Sequence, residues 1–301
     1  MAFVLADDQY GKAETRLVRI YRDTARHEIR DLNVSTALRG DFARAYTDGD
    51  QASVLPTDSQ KNTCFAYAKE KGVAAIEEYA LALARHFTGD IASVRRAHVG
   101  VEEYSWERVS AGGSGHPHAF VRSGQEVRTT AVTADITSGG ERTWVISGLR
   151  DLVVLKSTGS EFTGFYKDRY TTLPEAKDRV LATSLTARWR YAGTGIGWDE
   201  AFWQVRQVML ERFASLHSRA LQQTLWEMGS AVLAARDDIA EIRLSAPNKH
   251  HFLVDLAPFG LQNPGEVFHA DDRPYGLIQC AVAREDAAEA GPAWDTPECF
   301  A

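Results

Sequence analysis

Between residues 10 and 38, aliphatic and β-branched residues recur in two runs separated by a short polar turn near Asp23-Thr24, which predicts two strands joined as a hairpin. A polar, turn-rich stretch follows from Gly40 to Asn62. The period then changes. Ile76, Tyr79, Ala80, Leu83 and Phe87 form one apolar helical stripe, with Glu77, Glu78 and Arg85 on the other face and Gly89 as a stop. Strand-like runs return near 93–109 and 118–137, and the Gly-Gly-Ser-Gly segment at 112–115 makes the turn between them.

The second half follows the same plan. Thr143 to Lys156 reads as a strand with an almost wholly apolar end, Leu152 to Leu155. Residues 183–192 alternate, with Leu185, Ala187, Trp189 and Tyr191 on one face and Thr186, Arg188 and Arg190 on the other, as in a half-buried strand. Two helices are expected next. Trp198 to Leu216 aligns Phe202, Val205, Met209, Phe213 and Leu216, with Asp199 and Glu200 suited to its first turn; Ser218 to Arg236 aligns Leu221, Leu225, Met228, Val232 and Ala235. Strands near 239–256 and 275–285 close the chain.

The order strand-strand-helix-helix-strand-strand, read twice, predicts an α+β chain of two tandem domains, 1–139 and 140–301. Each is an antiparallel four-stranded sheet with a helix pair on one face. Such sheets leave edges that must be covered or paired, so copies of the chain are expected to close into a barrel as a homo-oligomer.

A length of 301 residues exceeds one ordinary hydrophobic core and agrees with two domains. The formal net charge of -7 argues against a nucleic-acid partner, because phosphate binding brings a basic excess. No apolar run reaches the roughly 20 residues needed to span a bilayer, and the N-terminus lacks a basic region, so no membrane association and a cytoplasmic location are expected. The chain ends Pro-Glu-Cys-Phe-Ala, without a peroxisomal Ser-Lys-Leu. Cys64, Cys280 and Cys299 fit neither a disulfide framework nor a metal pattern. Dinucleotide, phosphate-loop, His-Glu-x-x-His, Cys-x-x-Cys and nucleophile-elbow motifs do not occur; Gly193-Thr-Gly-Ile-Gly197 has the wrong spacing. His116 and His118 leave one strand face beside a glycine turn, but no third ligand is apparent and Pro117 disturbs regular pairing, so they read as metal-free hairpin-end histidines.

Three polar stretches are unusual for plain scaffold: Tyr10-Gly-Lys12 at the start of the first strand, Thr57-Asp58-Ser-Gln-Lys-Asn62 just before the first helical region, and Pro247-Asn-Lys-His-His-Phe252 between two strand signals. Each has a plain alternative: a solvated lysine, a helix cap and a polar hairpin. A long polar and aromatic connection joins two strands from Leu155 through Phe162 and Leu173 to Asp178-Arg179, and long ordered loops concentrate function.

That loop, Thr57-Asp58, Gln222-Gln-Thr-Leu-Trp-Glu-Met and Asn248-Lys-His together resemble the urate oxidase (uricase) family, from about Tyr10 to Arg284. The resemblance implies two tandem tunnelling-fold (T-fold) domains and a homotetramer with active sites at subunit interfaces. It implies no metal and no flavin. Arg179 and Gln222 then clamp urate, a charge-assisted guanidinium fork suiting a planar anion. Phe162 stacks beneath the ring, and the backbone N–H groups of Leu221 and Asp58 add hydrogen bonds; Leu221 stands where the family often has Val, which a backbone contact tolerates. Asn248 holds O2 and then water above the ring. Lys12, Thr57 and His250 form the proton relay, with Thr57 and Asp58 supplied by a neighbouring subunit.

The implied reaction converts urate, O2 and water to 5-hydroxyisourate and hydrogen peroxide. Two alternatives share the scaffold: another tunnelling-fold enzyme acting on pterins or purines, and a non-catalytic purine-binding protein. The first anchors its substrate with a glutamate, whereas Gln222 offers one donor and one acceptor, and Glu227 is five residues along the helix on another face. The second has no need of Lys12, Thr57 and His250 together.

Overall fold

Hydrophobic alternation after Gln9 becomes two antiparallel strands in the computed structural model, which describes residues 3–137 and 140–295. Cys299 and the expected domain boundary at residue 139 lie outside the described residues. The strands are β1 (Tyr10–Tyr21) and β2 (Glu28–Gly40). Next come α1 (Ala43–Thr47), α2 (Thr57–Glu70) and α3 (Ile76–Asp90), then β3 (Val94–Ala111) and β4 (Ser114–Asp135). The remaining elements are β5 (Arg142–Lys156), β6 (Leu181–Tyr191), α4 (Trp198–Ser215), α5 (Leu221–Ala235), β7 (Ile239–Leu253), β8 (Phe268–Asp271) and β9 (Leu277–Ala283). The chain is therefore α+β with antiparallel strand pairing.

Two compact units result. The first takes in the chain up to Gly148, Arg190–Phe202 and the stretch from Ala287 onward; the second takes in Leu149–Trp189 and Trp203–Asp286. In the first, β1, β2, β3 and β4 pair in that order, while α2 packs on β1 and α3 on β3 and β4. Leu32, Val34, Leu38, Val99 and Val101 of the sheet are buried, as are Ile76, Tyr79, Leu83 and Phe87 of α3. Each such side chain contributes about 1.5–3 kcal/mol by leaving water. Gly112 and Gly113 turn the β3–β4 hairpin at φ 59° and 81°, values that side-chain-bearing residues resist.

In the second unit β5, β6 and β7 are neighbours in chain order. The other edge of β7 changes partner along its length: Glu241 to Pro247 pair with β9 and His250 to Leu253 with β8. Leu221, Leu225, Met228 and Val232 of α5 are buried, and the helix packs on β7 and β9.

Several expectations need correction. The stretch from Gly40 to Asn62 is not all turn, because it holds α1 and the start of α2. Only Gln60, Cys64 and Ala68 of α2 are buried, a stripe too narrow and too polar to announce a helix. Gly89 lies inside α3 rather than ending it. Glu77 is completely buried, not on a solvent face: its carboxylate pairs with Arg128 at 2.8 Å and accepts from the Ser147 hydroxyl at 2.6 Å. Burial pushes that carboxyl up, against the opposing pull of Arg128 and Ser147. Ala235, in the last turn of α5, is exposed, and Leu216 falls just beyond α4. The polar run 247–252 lies within β7, inside the strand expected near 239–256 and not in a separate hairpin, and β8 is missed because four residues are too few for a pattern.

Candidate functional site

Residues 157–180 connect β5 to β6 and hold their shape through a small polar latch. The Asp178 carboxylate accepts from the Thr158 hydroxyl at 2.6 Å and from the Gly159 N–H at 2.9 Å. Those hydrogen bonds, the one from Thr158 foremost, hold the Asp178 carboxyl below the usual carboxylate range. Next to it the Arg179 N–H donates to the Ser160 carbonyl at 2.8 Å, and Phe162 and Ala176 exchange backbone hydrogen bonds at 2.7 and 3.0 Å. The same stretch is sewn to the segment preceding α5: Ser218 N–H donates to Gly159 and Glu161 N–H to Ser218, at 2.9 and 2.8 Å. The Ser218 and Thr224 hydroxyls, both fully buried, meet at 2.7 Å.

This sewing brings Phe162 and Arg179 into one neighbourhood with the N-terminus of α5. The Arg179 guanidinium carbon lies 5.3 Å from the Phe162 ring centroid, and one face of that ring stacks on Phe165 at 4.8 Å and 12°. Burial lowers the guanidinium pKa, and Nε is buried without a hydrogen-bond partner. An unpaired buried donor costs about 1–3 kcal/mol, so this group is prepared for an acceptor. Leu221 is the first residue of α5 and Gln222, exposed, the second. A helix leaves its first N–H groups without internal partners and carries a partial positive charge there. Glu227, the carboxylate nearest in sequence, is committed to Arg212.

Asn248 and His250 project from the same face of β7, with Asn248 Nδ2 and His250 Nδ1 3.4 Å apart, and the His250 ring stacks on Phe252 at 5.6 Å and 19°. They sit where β7 passes from β9 to β8, with the Asn248 N–H donating to Gly276 at 2.8 Å. The Thr183 hydroxyl of β6 donates to the Pro247 carbonyl at 2.8 Å. Arg179 is two residues upstream of β6, so its end of β6 neighbours the Asn248 segment.

Lys12, Thr57 and Asp58 belong to the first unit, whereas Phe162, Arg179, Leu221, Gln222, Asn248 and His250 belong to the second. Thr57 and Asp58 do not precede a helix; they are the first two residues of α2, behind an N-cap Pro56 that supplies no side-chain cap. Lys61, then Asn62 and Lys12, hold the exposed Asp58 carboxyl below the usual range. Lys12 itself is half-buried, immediately before a bulge in β1. Asp178, Ser160, Ser218, Thr36 and Gln60 were missed by sequence reasoning; isolated serines, threonines and amides carry no periodic signal. At the hairpin tip a third histidine does lie close: His27 is 5.9 Å from His118, which is 4.5 Å from His116, ring to ring. Among the described residues, however, no group of three or more His, Cys, Asp or Glu is arranged to hold a metal ion. No helix among them is long and apolar enough to cross a membrane.

Comparison with known proteins places the chain in a family and matches its fold. The family model described as "Uricase" matches residues 8–133 and 145–279. The chain is 50% identical over 291 residues to the uricase of Arthrobacter globiformis, covering 97% of this chain and 93% of that protein. It is 37% identical over 283 residues to the uricase of Oryctolagus cuniculus, covering 92% and 93% respectively. The crystal structure of the Arthrobacter globiformis uricase superposes with a TM-score of 0.92 at 48% identity, covering 98% of this chain and all of that one. The urate oxidase of Bacillus sp. TB-90, at 22% identity, shares the fold with a TM-score of 0.81 over 92% of this chain and 100% of its own.

Proposed function

The chain belongs to the uricase family, and from that membership we propose that it oxidises urate with O2, without metal or flavin, as a homotetramer with sites at subunit interfaces. Urate, O2 and water become 5-hydroxyisourate and hydrogen peroxide. Two electrons and two protons leave the purine for O2, and the oxygen of water ends on the purine carbon as a hydroxyl. A direct two-electron step to triplet O2 is spin-forbidden, whereas an electron-rich urate dianion gives up one electron at a time. The protein's task is to deprotonate, position and desolvate.

The observation that carries the reading is Arg179. Its half-buried guanidinium keeps an unpaired Nε beside the Phe162 ring, next to the α5 N-terminus that bears Gln222. Arg179 forks onto one edge of the planar anion and the Gln222 amide reads the next. The Leu221 N–H adds a donor at a helix end that favours negative charge by about 0.3–1 kcal/mol. The purine stacks on the Phe162 face turned away from Phe165. Asn248 holds O2 and afterwards water above the ring, and His250, beside it on β7, orients the Lys12–Thr57 pair that takes the proton.

Thr57 and Asp58 come from a neighbouring subunit, the Asp58 N–H being the second unfilled helix-end donor. Lys12 lowers the Asp58 carboxyl within one chain, which supports Lys12 arriving with them. The two halves, 1–139 and 140–301, are tandem tunnelling-fold domains whose sheets close into a barrel on assembly. A pterin-type enzyme is disfavoured because Glu227, the nearby carboxylate, is held by Arg212.

The test is to add urate to the purified protein in aerated buffer and follow purine absorbance and peroxide together, before and after exhaustive chelation. Equal loss of urate and gain of peroxide, unaffected by chelator, is expected. Untouched urate, or activity that returns only with added metal, overturns the proposal.

A further inference from the structure

The N-terminal corner of the first unit contains a buried hydrogen-bond chain that no step above uses. Its register slips between Lys12 and Thr15, where Glu14 adopts φ 55°, an unusual angle for a residue with a side chain. Beside this bulge two successive hydroxyl residues of β2 accept from β1: the Glu14 N–H donates to Ser35 Oγ at 3.0 Å and the Lys12 N–H to Thr36 Oγ1 at 3.4 Å. The Thr36 hydroxyl in turn donates to Gln60 Oε1 at 2.8 Å. Gln60 is completely buried and Thr36 nearly so. The Gln60 Nε2 reaches back to the Leu55 carbonyl at 3.5 Å, so the amide also holds the turn that leads into α2. Gln60 lies three residues after Thr57, one helical turn below it. Gly11 closes the other side, because a Cβ there would sit 1.8 Å from the Thr36 carbonyl oxygen.

We infer that Thr36 and Gln60 are positioning residues that fix the backbone of Lys12 relative to the N-terminus of α2, and thereby the spacing between the Lys12 amine and the Thr57 hydroxyl. The inference rests on the role of Lys12 and Thr57 proposed above. The physical reason is that Lys12 is the last residue paired with β2 before the bulge, so its far side has no regular strand to hold it. One hydroxyl, accepting from β1 and donating to α2, ties the two elements together, and burial of Thr36 and Gln60 keeps water from the bond between them. Neither residue touches substrate. The Arg179, Gln222 and Phe162 clamp lies in the other unit, so the device acts mainly on proton transfer, with the Asp58 N–H its one link to binding.

The decisive variant is Thr36→Val, which keeps the branched shape and removes the hydroxyl. We expect kcat on urate to fall about tenfold, because small misplacements of a base are costly, while KM and the affinity for xanthine, a purine offering a similar edge, stay within about twofold. Thr36→Ser, which restores the hydroxyl, recovers most of the rate. In a Lys12→Met background Thr36→Val costs nothing further, since the residue acts through Lys12; a merely structural role lowers the rate again. Should Thr36→Val fail to fold, Gln60→Met, of matching size, breaks the same chain. An active wild type whose kcat survives in the folded variant overturns this inference alone, as does a full further loss in the Lys12→Met background. A wild type inert toward urate overturns the proposed function, and this inference with it.

Discussion

The loop at 157–180 and the β1–α2 corner both present a helix N-terminus beside a cation, yet they are built in opposite ways. The loop carries Phe162 and Arg179 on irregular backbone, held by the exposed Asp178 latch and a buried hydroxyl pair, Ser218 with Thr224. The corner carries Lys12 on a strand and Thr57 on a helix, tied by a hydrogen-bond chain through the buried Thr36 and Gln60. The loop is mostly exposed and polar, whereas the corner rests against a hydrophobic core. A clamp for a charged ring tolerates small adjustment, because the attraction between opposite charges falls off slowly with distance, whatever its hydrogen bonds lose. A proton relay does not, because transfer needs heavy atoms within hydrogen-bond reach.

Four measurements break or sharpen this contrast. The largest effect is expected from Lys12→Met: turnover falls by about 10²–10⁴-fold, as for loss of a general base, while a titration with xanthine finds binding nearly intact. Unchanged turnover removes Lys12 from the mechanism. Arg179→Ala reverses the pattern, since a hydrogen bond to a charged group is worth about 1.5–3 kcal/mol, and weakens xanthine binding about 10–100-fold. Intact affinity in calorimetry counts against the clamp. Asp178→Ala acts one step removed, loosening the loop that presents Arg179, and raises KM by about three- to tenfold with a smaller change in kcat. A KM that stays put shows the latch to be dispensable.

The smallest effect is one of pH. The folded Asp178 carboxyl titrates below its ordinary value of 3.8, so the latch is complete above that value and is lost only as the pH falls through the lower, folded one. Xanthine affinity therefore owes no change to Asp178 between pH 5 and 8, about the range where other groups titrate. In Asp178→Asn any remaining dependence across that interval should match the wild type. A difference between the two curves assigns the titration to the latch.

Much of the architecture was legible from periodicity. The stripe through Ile76, Tyr79, Leu83 and Phe87 marked α3, and the alternation of Leu185, Ala187 and Trp189 marked β6, because one buried face imposes a period that the residues must obey. Where burial is narrow or mixed, that signal fades. The helix beginning at Thr57 buries an amide, a thiol and an alanine, and so its first turns, to Asn62, read as turn. The polar residues 247–252 leave strand and hairpin both open, and that one strand continues through them while its partner changes is a fact of pairing and not of composition. The family, and with it the urate reading, was legible from local motifs, since these carry chemistry that survives without knowledge of packing.

Only the folded chain decided which polar groups answer one another. Glu77 belongs to the solvent face by sequence spacing, yet it is buried because Arg128, 51 residues away, and Ser147 converge on it. Asp178 and Gln60 gain their meaning in the same way, from Thr158 and Thr36. Hydrophobic burial is nearly directionless and writes itself into residue order as a period. Hydrogen bonds and ion pairs depend on distance and angle between partners far apart in the chain, and these exist only after the elements have packed.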